Sequence, residues 1–266
     1  MSQVHFSIIT PTLNCAATLP ATLLAVQQLR TAISLEHFVV DSDSTDGTAQ
    51  LAERSGAVVL RHPRGNMYAA INAGVKAAQG AWVTYLNGDD VLYADAIVAA
   101  LQKHGTAAEI IYGDIDYIDE TGRFLFSWRA PEAGWLGFLK RYYNPFPQQG
   151  TLFRRELFDR LGGFDTHFRY SADYDFWCRA EDAGARFQKH AGPSHAGFRL
   201  LPSQLSQSRR HEMAPEGQAI RARLRQGRGA LAHAAGNPIA SLYRWSTNLD
   251  SYWLRRTRGR ELDRRG

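Results

Sequence analysis

Tyr85-Leu86-Asn87-Gly88-Asp89-Asp90 ends an apolar run, Ala81-Trp82-Val83-Thr84-Tyr85-Leu86, that begins after Gly80. The run is short, β-branched and aromatic, which predicts a buried strand rather than a helix. At its carboxyl end lie a turn pair, Asn87-Gly88, and two adjacent carboxylates. Neighbouring like charges repel, so solvent, a basic partner or a metal ion must offset them. Carboxylate oxygens in this position suit Mg²⁺ or Mn²⁺, hard cations that share their coordination with substrate phosphates. The competing reading is a solvated turn in which Asp90 caps a helix starting near Tyr93.

Working outward, Phe6-Ser7-Ile8-Ile9-Thr10 predicts a first buried strand stopped by Pro11, then a polar loop Thr12-Leu13-Asn14. Thr18 is placed to cap a helix through about Arg30, with Leu19, Leu23, Val26 and Leu29 near helical spacing. His37–Val40 predicts a second strand that runs into Asp41-Ser42-Asp43-Ser44-Thr45-Asp46-Gly47-Thr48. Ala57–Leu60 predicts a third strand, and a helix holding Ala70, Ile71, Gly74 and Val75 precedes the opening strand. Strands alternating with helices imply an α/β fold with a mostly parallel sheet. Such sheets bind ligands beyond the carboxyl ends of their strands. Thr10–Asn14, Asp41–Asp46 and Asn87–Asp90 all occupy that rim, which points to a nucleotide-type site. No Gly-x-Gly-x-x-Gly follows the first strand and no Walker-type Lys occurs, so dinucleotide oxidoreductases and P-loop enzymes are disfavoured.

Farther on, the sequence predicts a helix over about Tyr93–His104, a strand Ile110–Gly113, a hairpin over Asp114–Trp128 and a short helix within Gly134–Tyr143 lying over the cleft. A loop Pro145–Gly150 carries Gln148 and Gln149, and a strand Thr151–Phe153 and a short helix Glu156–Leu161 follow. In Ser171-Ala172-Asp173-Tyr174-Asp175-Phe176-Trp177-Cys178, Ser171 is a plausible N-cap. Tyr174, Trp177 and Cys178 then face the core, leaving Asp173 in the first turn to point elsewhere.

The 266 residues suffice for one large domain with an appendage; 44% hydrophobic and 21% charged residues describe an ordinary globular protein. Cys15 and Cys178 form no framework and lack metal-ligand spacing, which suits a reducing compartment and two small buried side chains. Met1–His5 shows no charged n-region, so no signal peptide is expected, and no stretch reaches the roughly 18 apolar residues of a membrane span.

Four segments in order resemble the family 2 inverting glycosyltransferases of GT-A fold: Ser7–Asn14, Val39–Thr48, Leu86–Asp90, and Leu161–Asp165 continued by Ala172–Asp175. Gly65-Asn66-Met67-Tyr68-Ala69-Ala70-Ile71-Asn72-Ala73-Gly74 resembles the Gly-x-Tyr-x-Ala-x-Asn-x-Gly stretch of the branch that assembles bacterial polysaccharides. The match covers about 4–206. The resemblance implies a catalytic domain over 1–206, with a nucleotide-sugar half to about 113 and an acceptor half from about 114. It implies a nucleotide diphosphate sugar as donor, with UDP the expected nucleotide, and a glycan or lipid-linked acceptor. Pro11, Thr12, Asn14, Asp41, Asn72, Asn87, Asp89 and Asp90 would bind the nucleotide sugar, Asp41 through the base or ribose. Asn87 and Asp89 fall on the outer positions of the family's Asp-x-Asp. Asn87 stands where Asp is usual, so its role as ligand or ribose partner stays open and Asp89 is the expected ligand of Mn²⁺ or Mg²⁺. Asp173 falls on the general base of the family's Glu-Asp motif, with Ala172 in place of Glu; Asp175 is the second choice. Gln148 and Gln149 would sit by the acceptor, and Arg199 would reach the diphosphate or end its strand exposed. A non-catalytic sugar-nucleotide or polysaccharide-binding module on the same fold is the alternative. The presence of both Asp89 and Asp173 favours the enzyme.

The net charge of +5 is uneven. Residues 1–206 hold 18 Lys and Arg against 21 Asp and Glu, whereas 207–266 hold 13 Arg against 5 acids. This extension, expected to be helical, mixes Arg with Trp245, Trp253 and Tyr. That suits either an interfacial helix on anionic lipid at the cytoplasmic membrane face or a solvated helix packed on the domain. No nucleic-acid motif accompanies it, and no nucleic acid is expected.

Overall fold

The computed structural model describes residues 6–201, 210–226 and 230–254. Its core element is β1 (Phe6–Thr12), buried at every position. It pairs in parallel with β2 (Leu35–Asp41) and β4 (Trp82–Tyr85), and β3 (Val58–Arg61) extends the sheet beyond β2. Strands covered on both faces read as continuous apolar runs, as these do. β1 does not stop at Pro11. It continues through Pro11 and Thr12, opposite Val40 and Asp41, whereas its pairing with β4 ends at Ile9↔Tyr85. Past Ile9 only one side of β1 carries a partner strand, so the missing Pro11 N–H interrupts no two-sided ladder.

The helices α1 (Leu19–Ala32), α2 (Thr48–Arg54), α3 (Met67–Ala77) and α4 (Ala94–His104) connect these strands and cover the sheet. α3 lies so close that a Cβ on Gly74 would stand 2.5 Å from Ile9 Cγ2, so only glycine fits there. The seven-stranded sheet runs β10-β6-β9-β4-β1-β2-β3, with β6 (Ile110–Tyr112), β9 (Leu152–Arg154) and β10 (Phe187–Lys189). β9 is inserted antiparallel between β4 and β6. A second sheet, β5-β11-β7-β8, is built from β5 (Val91–Leu92), β7 (Ile115–Ile118), β8 (Phe124–Trp128) and β11 (Ala196–Arg199). This architecture is the GT-A type.

The remaining helices are α5 (Ala133–Leu139), α6 (Arg155–Arg160) and α7 (Ala172–Asp182). α5 does not lie free over a cleft: the buried Lys140 at its end pairs with Glu181 and Asp182 at the far end of α7, each at 2.5 Å. Tyr68, Tyr85 and Phe176 pack around Phe164 with ring centroids 5.1–5.5 Å away. This wedge joins α3, β4 and α7. Cys178 is buried and Cys15 is half-buried; both are free.

The extension contributes α8 (Arg210–Arg225), α9 (Ala230–Thr247) and a last helical turn over 249–254. The expected boundary at residue 206 lies outside the described residues. Both described helices pack on the domain. Arg129 N donates to Asn248 Oδ1 at 2.7 Å, and the Arg129 guanidinium grips Asp250 by two bonds of 2.7 Å. Arg223 pairs with Asp175 at 2.6 Å, and Arg225 Nε donates to the Arg141 carbonyl.

Candidate functional site

The strand register builds the first wall. Thr12 stands opposite Asp41, and its Oγ1 donates to Asp41 Oδ1 at 3.0 Å. The buried Asp41 carboxylate also accepts from Ser44 N at 3.0 Å and Arg61 Nη1 at 3.1 Å. That leaves room for one further donor among its roughly four lone-pair sites. Asn14, at φ 50°, clasps the two rim loops together: its Oδ1 accepts from Thr45 N, and its own N–H donates to Ser44 Oγ. Asp46 Oδ1 accepts from Thr48 N at the start of α2.

The Asn87–Asp90 turn forms the second wall. A Cβ on Gly88 would lie 2.7 Å from Cys15 Sγ, so the turn can seat this close to the first wall only with glycine. Burial, with Asp46 and Asp89 nearby, pushes the Cys15 thiol up to about 12. Thr18 makes no side-chain cap bond to α1; its hydroxyl donates to the Gly88 carbonyl at 2.8 Å, and Thr22 does the same for Asp90. Asp90 does not cap α4, whose N-cap position is Tyr93. Instead the Asp90 side chain is wholly buried, accepting from Arg199 N at 3.0 Å, from Asn87 Nδ2 at 3.2 Å and from the Gln149 side chain. Desolvation, reinforced by the Asp89 charge, holds its carboxyl well above the usual carboxylate range.

Arg199 is not an exposed strand-end residue. It is buried, with Nε bonded to the Asp89 carbonyl at 2.9 Å and Nη1 to the carbonyls of Asp119 and Glu120. Gln148 Nε2 donates to the Tyr85 carbonyl. Gln148, Gln149 and Arg199 therefore converge on the back of the Asn87–Asp90 turn. Asn72 stands apart: its amide donates to the Phe164 carbonyl at 2.8 Å and accepts from Phe164 N at 3.1 Å, bracing the chain that leads to α7.

Among the described residues no group of three or more His, Cys, Asp and Glu side chains is arranged to hold a metal. The oxygen donors at the turn nevertheless suit a hard cation completed by diphosphate and water. Asn87 Oδ1 is buried with no hydrogen-bond partner, and it lies two residues from the half-buried Asp89.

The third wall holds Asp173, at the start of α7. Ser171 occupies the N-cap position but makes no side-chain cap bond. Tyr174, Trp177 and Cys178 are buried, as their spacing predicts. Tyr68 Oη donates to Asp173 Oδ1 at 2.9 Å. Burial raises the Asp173 carboxyl above the ordinary range, and the nearby Glu216 charge adds to this. The same hydroxyl lies 3.2 Å from the Tyr170 carbonyl, and the Tyr68 ring meets that of Tyr85 edge to face with centroids 6.4 Å apart, so Tyr68 links the end of β4 to the start of α7. Asp175, the second choice for a base, is 1% exposed and held by Arg179 at 2.7 Å and Arg223 at 2.6 Å.

The reading of the sequence missed Tyr68 and the part played by α8. Tyr68 was visible as the Tyr of the Tyr68-x-Ala70-x-Asn72-x-Gly74 stretch. Glu216 had no local signal: its carboxylate accepts from the main-chain N–H groups of Arg169, Tyr170 and Ser171 at 2.7–2.9 Å, just before Asp173. A cavity of about 390 Å³ opens here, lined by Asn144, Tyr170, Asp173 and Tyr174 from the domain and by Met213, Gly217 and Arg221 from α8.

The profile of Glycosyl transferase family 2 matches residues 7–165. A PGL/p-HBAD biosynthesis glycosyltransferase of Mycobacterium bovis is 34% identical over 189 residues, covering 66% of this chain and 69% of that one. The Staphylococcus aureus TarS 1-349 structure in complex with UDP-GlcNAc superposes with a TM-score of 0.64 at 17% identity, covering 91% of this chain and 72% of that one. The mannosyltransferase PcManGT of Pyrobaculum calidifontis, in complex with GDP-Man and Mn²⁺, gives 0.61 at 20% identity over 93% and 74%. At these identities the two structures speak for the fold, while the profile spans more than half the chain and the mycobacterial enzyme carries the likeness at the level of sequence. The chain belongs to glycosyltransferase family 2.

Proposed function

We propose that this glycosyltransferase moves a sugar, with inversion, from a nucleotide diphosphate sugar to an acceptor hydroxyl. The observation that carries the reading is the Tyr68–Asp173 hydrogen bond at the cavity, made by a tyrosine whose ring packs edge to face on Tyr85 of the strand that ends in Asn87–Asp90. UDP is the expected nucleotide. The UDP-GlcNAc in TarS supports this, and the GDP-Man in PcManGT shows the alternative base on a similar fold.

In this reading Pro11, Thr12 and Asn14 line the nucleotide pocket, and Asp41 takes one more hydrogen bond from the base or ribose. Asn87 and Asp89 face the diphosphate, while Asp90, Gln148, Gln149 and Arg199 hold that turn from behind. A divalent cation, Mn²⁺ or Mg²⁺, held by Asp89 and Asn87 Oδ1 would supply charge neutralisation for the leaving diphosphate. Asp173 accepts the proton of the acceptor hydroxyl as its oxygen bonds to the anomeric carbon. The bond to the diphosphate breaks on the opposite face, and its electron pair leaves with the nucleotide. A carboxyl whose proton affinity is raised by burial is better matched to that task than an exposed one. The acceptor is a glycan or lipid-linked molecule of polysaccharide assembly, met at the cytoplasmic face of the membrane.

Thermal unfolding with UDP, with and without Mn²⁺, tests the donor side. UDP should raise the melting temperature more with Mn²⁺ present, and Asp89→Ala should abolish the added gain. Equal stabilisation without metal, unchanged in Asp89→Ala, would remove the ion from this site.

A further inference from the structure

Ten large hydrophobic side chains are exposed among the described residues, and five of them fall between residues 239 and 253. Ile239, Leu242, Trp245, Leu249 and Trp253 are 48–65% exposed. Ile239, Leu242 and Trp245, three residues apart, share an arc of about 120° on one face of α9 at about 100° per residue, and Leu249 and Trp253, four apart, share one face of the helical turn that follows Asn248. The opposite face is already occupied. Ala240, Asn248 and Ser251 are at most 1% exposed, and Tyr243 stacks on Trp135 with ring centroids 4.6 Å apart. Together with the Arg129–Asp250 bonds, these contacts fix the helix against β8 and α5, so the exposed stripe is not the face that packs on the domain.

The sequence also states what kind of surface the stripe meets. Directly beyond Trp253 and Leu254, residues 255–265 carry six Arg against two acids. Tryptophans on an apolar helix face beside an arginine cluster match the interface of an anionic bilayer. There the rings sit at headgroup level and the guanidinium groups meet lipid phosphate. Among the described residues no helix is long and apolar enough to cross a membrane. A protein partner would cover the apolar stripe equally well but would not call for the adjoining charge.

We propose that the Ile239–Trp253 stripe lies in the interface of an anionic membrane and docks the enzyme there with its helix parallel to the surface. The proposal rests on the reading of a membrane-face acceptor only for its purpose; its physical test is independent of the acceptor.

The full chain is floated with vesicles of phosphatidylcholine alone and of phosphatidylcholine mixed with phosphatidylglycerol. Binding should occur on the mixed vesicles, shift tryptophan emission to the blue, and weaken as salt rises, since the attraction decays over about 8 Å at physiological ionic strength. Trp245→Ser combined with Trp253→Ser should lower the partition coefficient about tenfold or more. UDP should still stabilise the variant, which shows separately that it folds and that the donor site stands. Leu242→Glu provides a second disruption should the double variant fold poorly. Equal partition of wild type and variants would overturn the proposal. So would a dimer in solution that the variants abolish with no binding to vesicles, which would assign the stripe to a second copy.

Discussion

Tyr68→Phe and Glu216→Gln should displace the acid limb of the transfer rate in opposite directions. In the proposed role of base Asp173 works only when ionised, so the rate should fall as pH drops through the value of its carboxyl, which burial already holds above the ordinary range. The Tyr68 hydroxyl, donating at 2.9 Å, stabilises the ionised form. A hydrogen bond to a charged group contributes about 1.5–3 kcal/mol, so its loss should raise the proton affinity of Asp173 roughly 10- to 150-fold. Tyr68→Phe should therefore lose activity at a higher pH than wild type. The Glu216 charge acts the other way, because it penalises a second carboxylate nearby. In Glu216→Gln the limb should move to lower pH. The glutamine oxygen, placed at the Oε2 position, still accepts from the Tyr170 and Ser171 N–H groups and only the Arg169 bond at Oε1 is lost, so α8 should remain docked. The assay is nucleoside diphosphate release at saturating acceptor across the acid range, with UDP binding followed in parallel. Asp173→Asn sets the floor, about 10²–10⁴ below wild type with donor binding retained. Limbs that stay in place, or move together in both variants, would refute the assignment of Asp173 as the base and of its two neighbours as opposed influences.

Two further outcomes concern stability. Asp175→Asn leaves Arg179 and Arg223 without the carboxylate they share, a break that costs about 3–5 kcal/mol in a fully buried pair. With the arginines 28% and 45% exposed, water offsets part of this, and a loss of about 2 kcal/mol in denaturant unfolding is expected; an unchanged midpoint would mean that α8 is not held there. His37 and His195 are buried, with values lowered by desolvation from 6.5 to about 3 and about 4. Both stay neutral in the fold and bind protons more readily when unfolded. Stability should thus be complete above pH 6.5 and fall as pH drops from 6.5 toward 4, by about 3 kcal/mol for each histidine. A titration of melting temperature checks this: His195→Gln should lose its share of the fall, and a fall as steep as that of wild type would reverse the attribution.

The order of strands and helices through Tyr85, and the polar ends of the first, second and fourth strands, were legible in the sequence because they are local. An apolar run of four to seven residues bounded by turn chemistry carries its own signature, and a parallel sheet brings the carboxyl ends of its strands to one rim. The direction and place of β9 were not legible, since an apolar strand pattern has no polarity; its antiparallel insertion between β4 and β6 is settled by packing. The strand through Pro11 escaped for a similar reason: whether a missing N–H matters depends on whether a neighbour lies on that side.

At the site the division is sharper. Asp89, Asp173 and Asp41 could be picked out by residue type and by order along the chain. What each does depends on partners far away in sequence. Arg199 backs a turn 109 residues earlier, and Tyr68 reaches an aspartate 105 residues later. Asp173 and Asp175 are two residues apart in one acidic stretch, equivalent as a pattern. Only the tertiary structure separates them, because a helix turns neighbouring side chains to different faces. One carboxylate meets a single tyrosine hydroxyl at a cavity, and the other meets two arginines in the interior. Composition likewise showed that the extension is basic. That Glu216 should close the main chain ahead of Asp173, while Trp245 and Trp253 remain outside, follows from which helical face finds the domain.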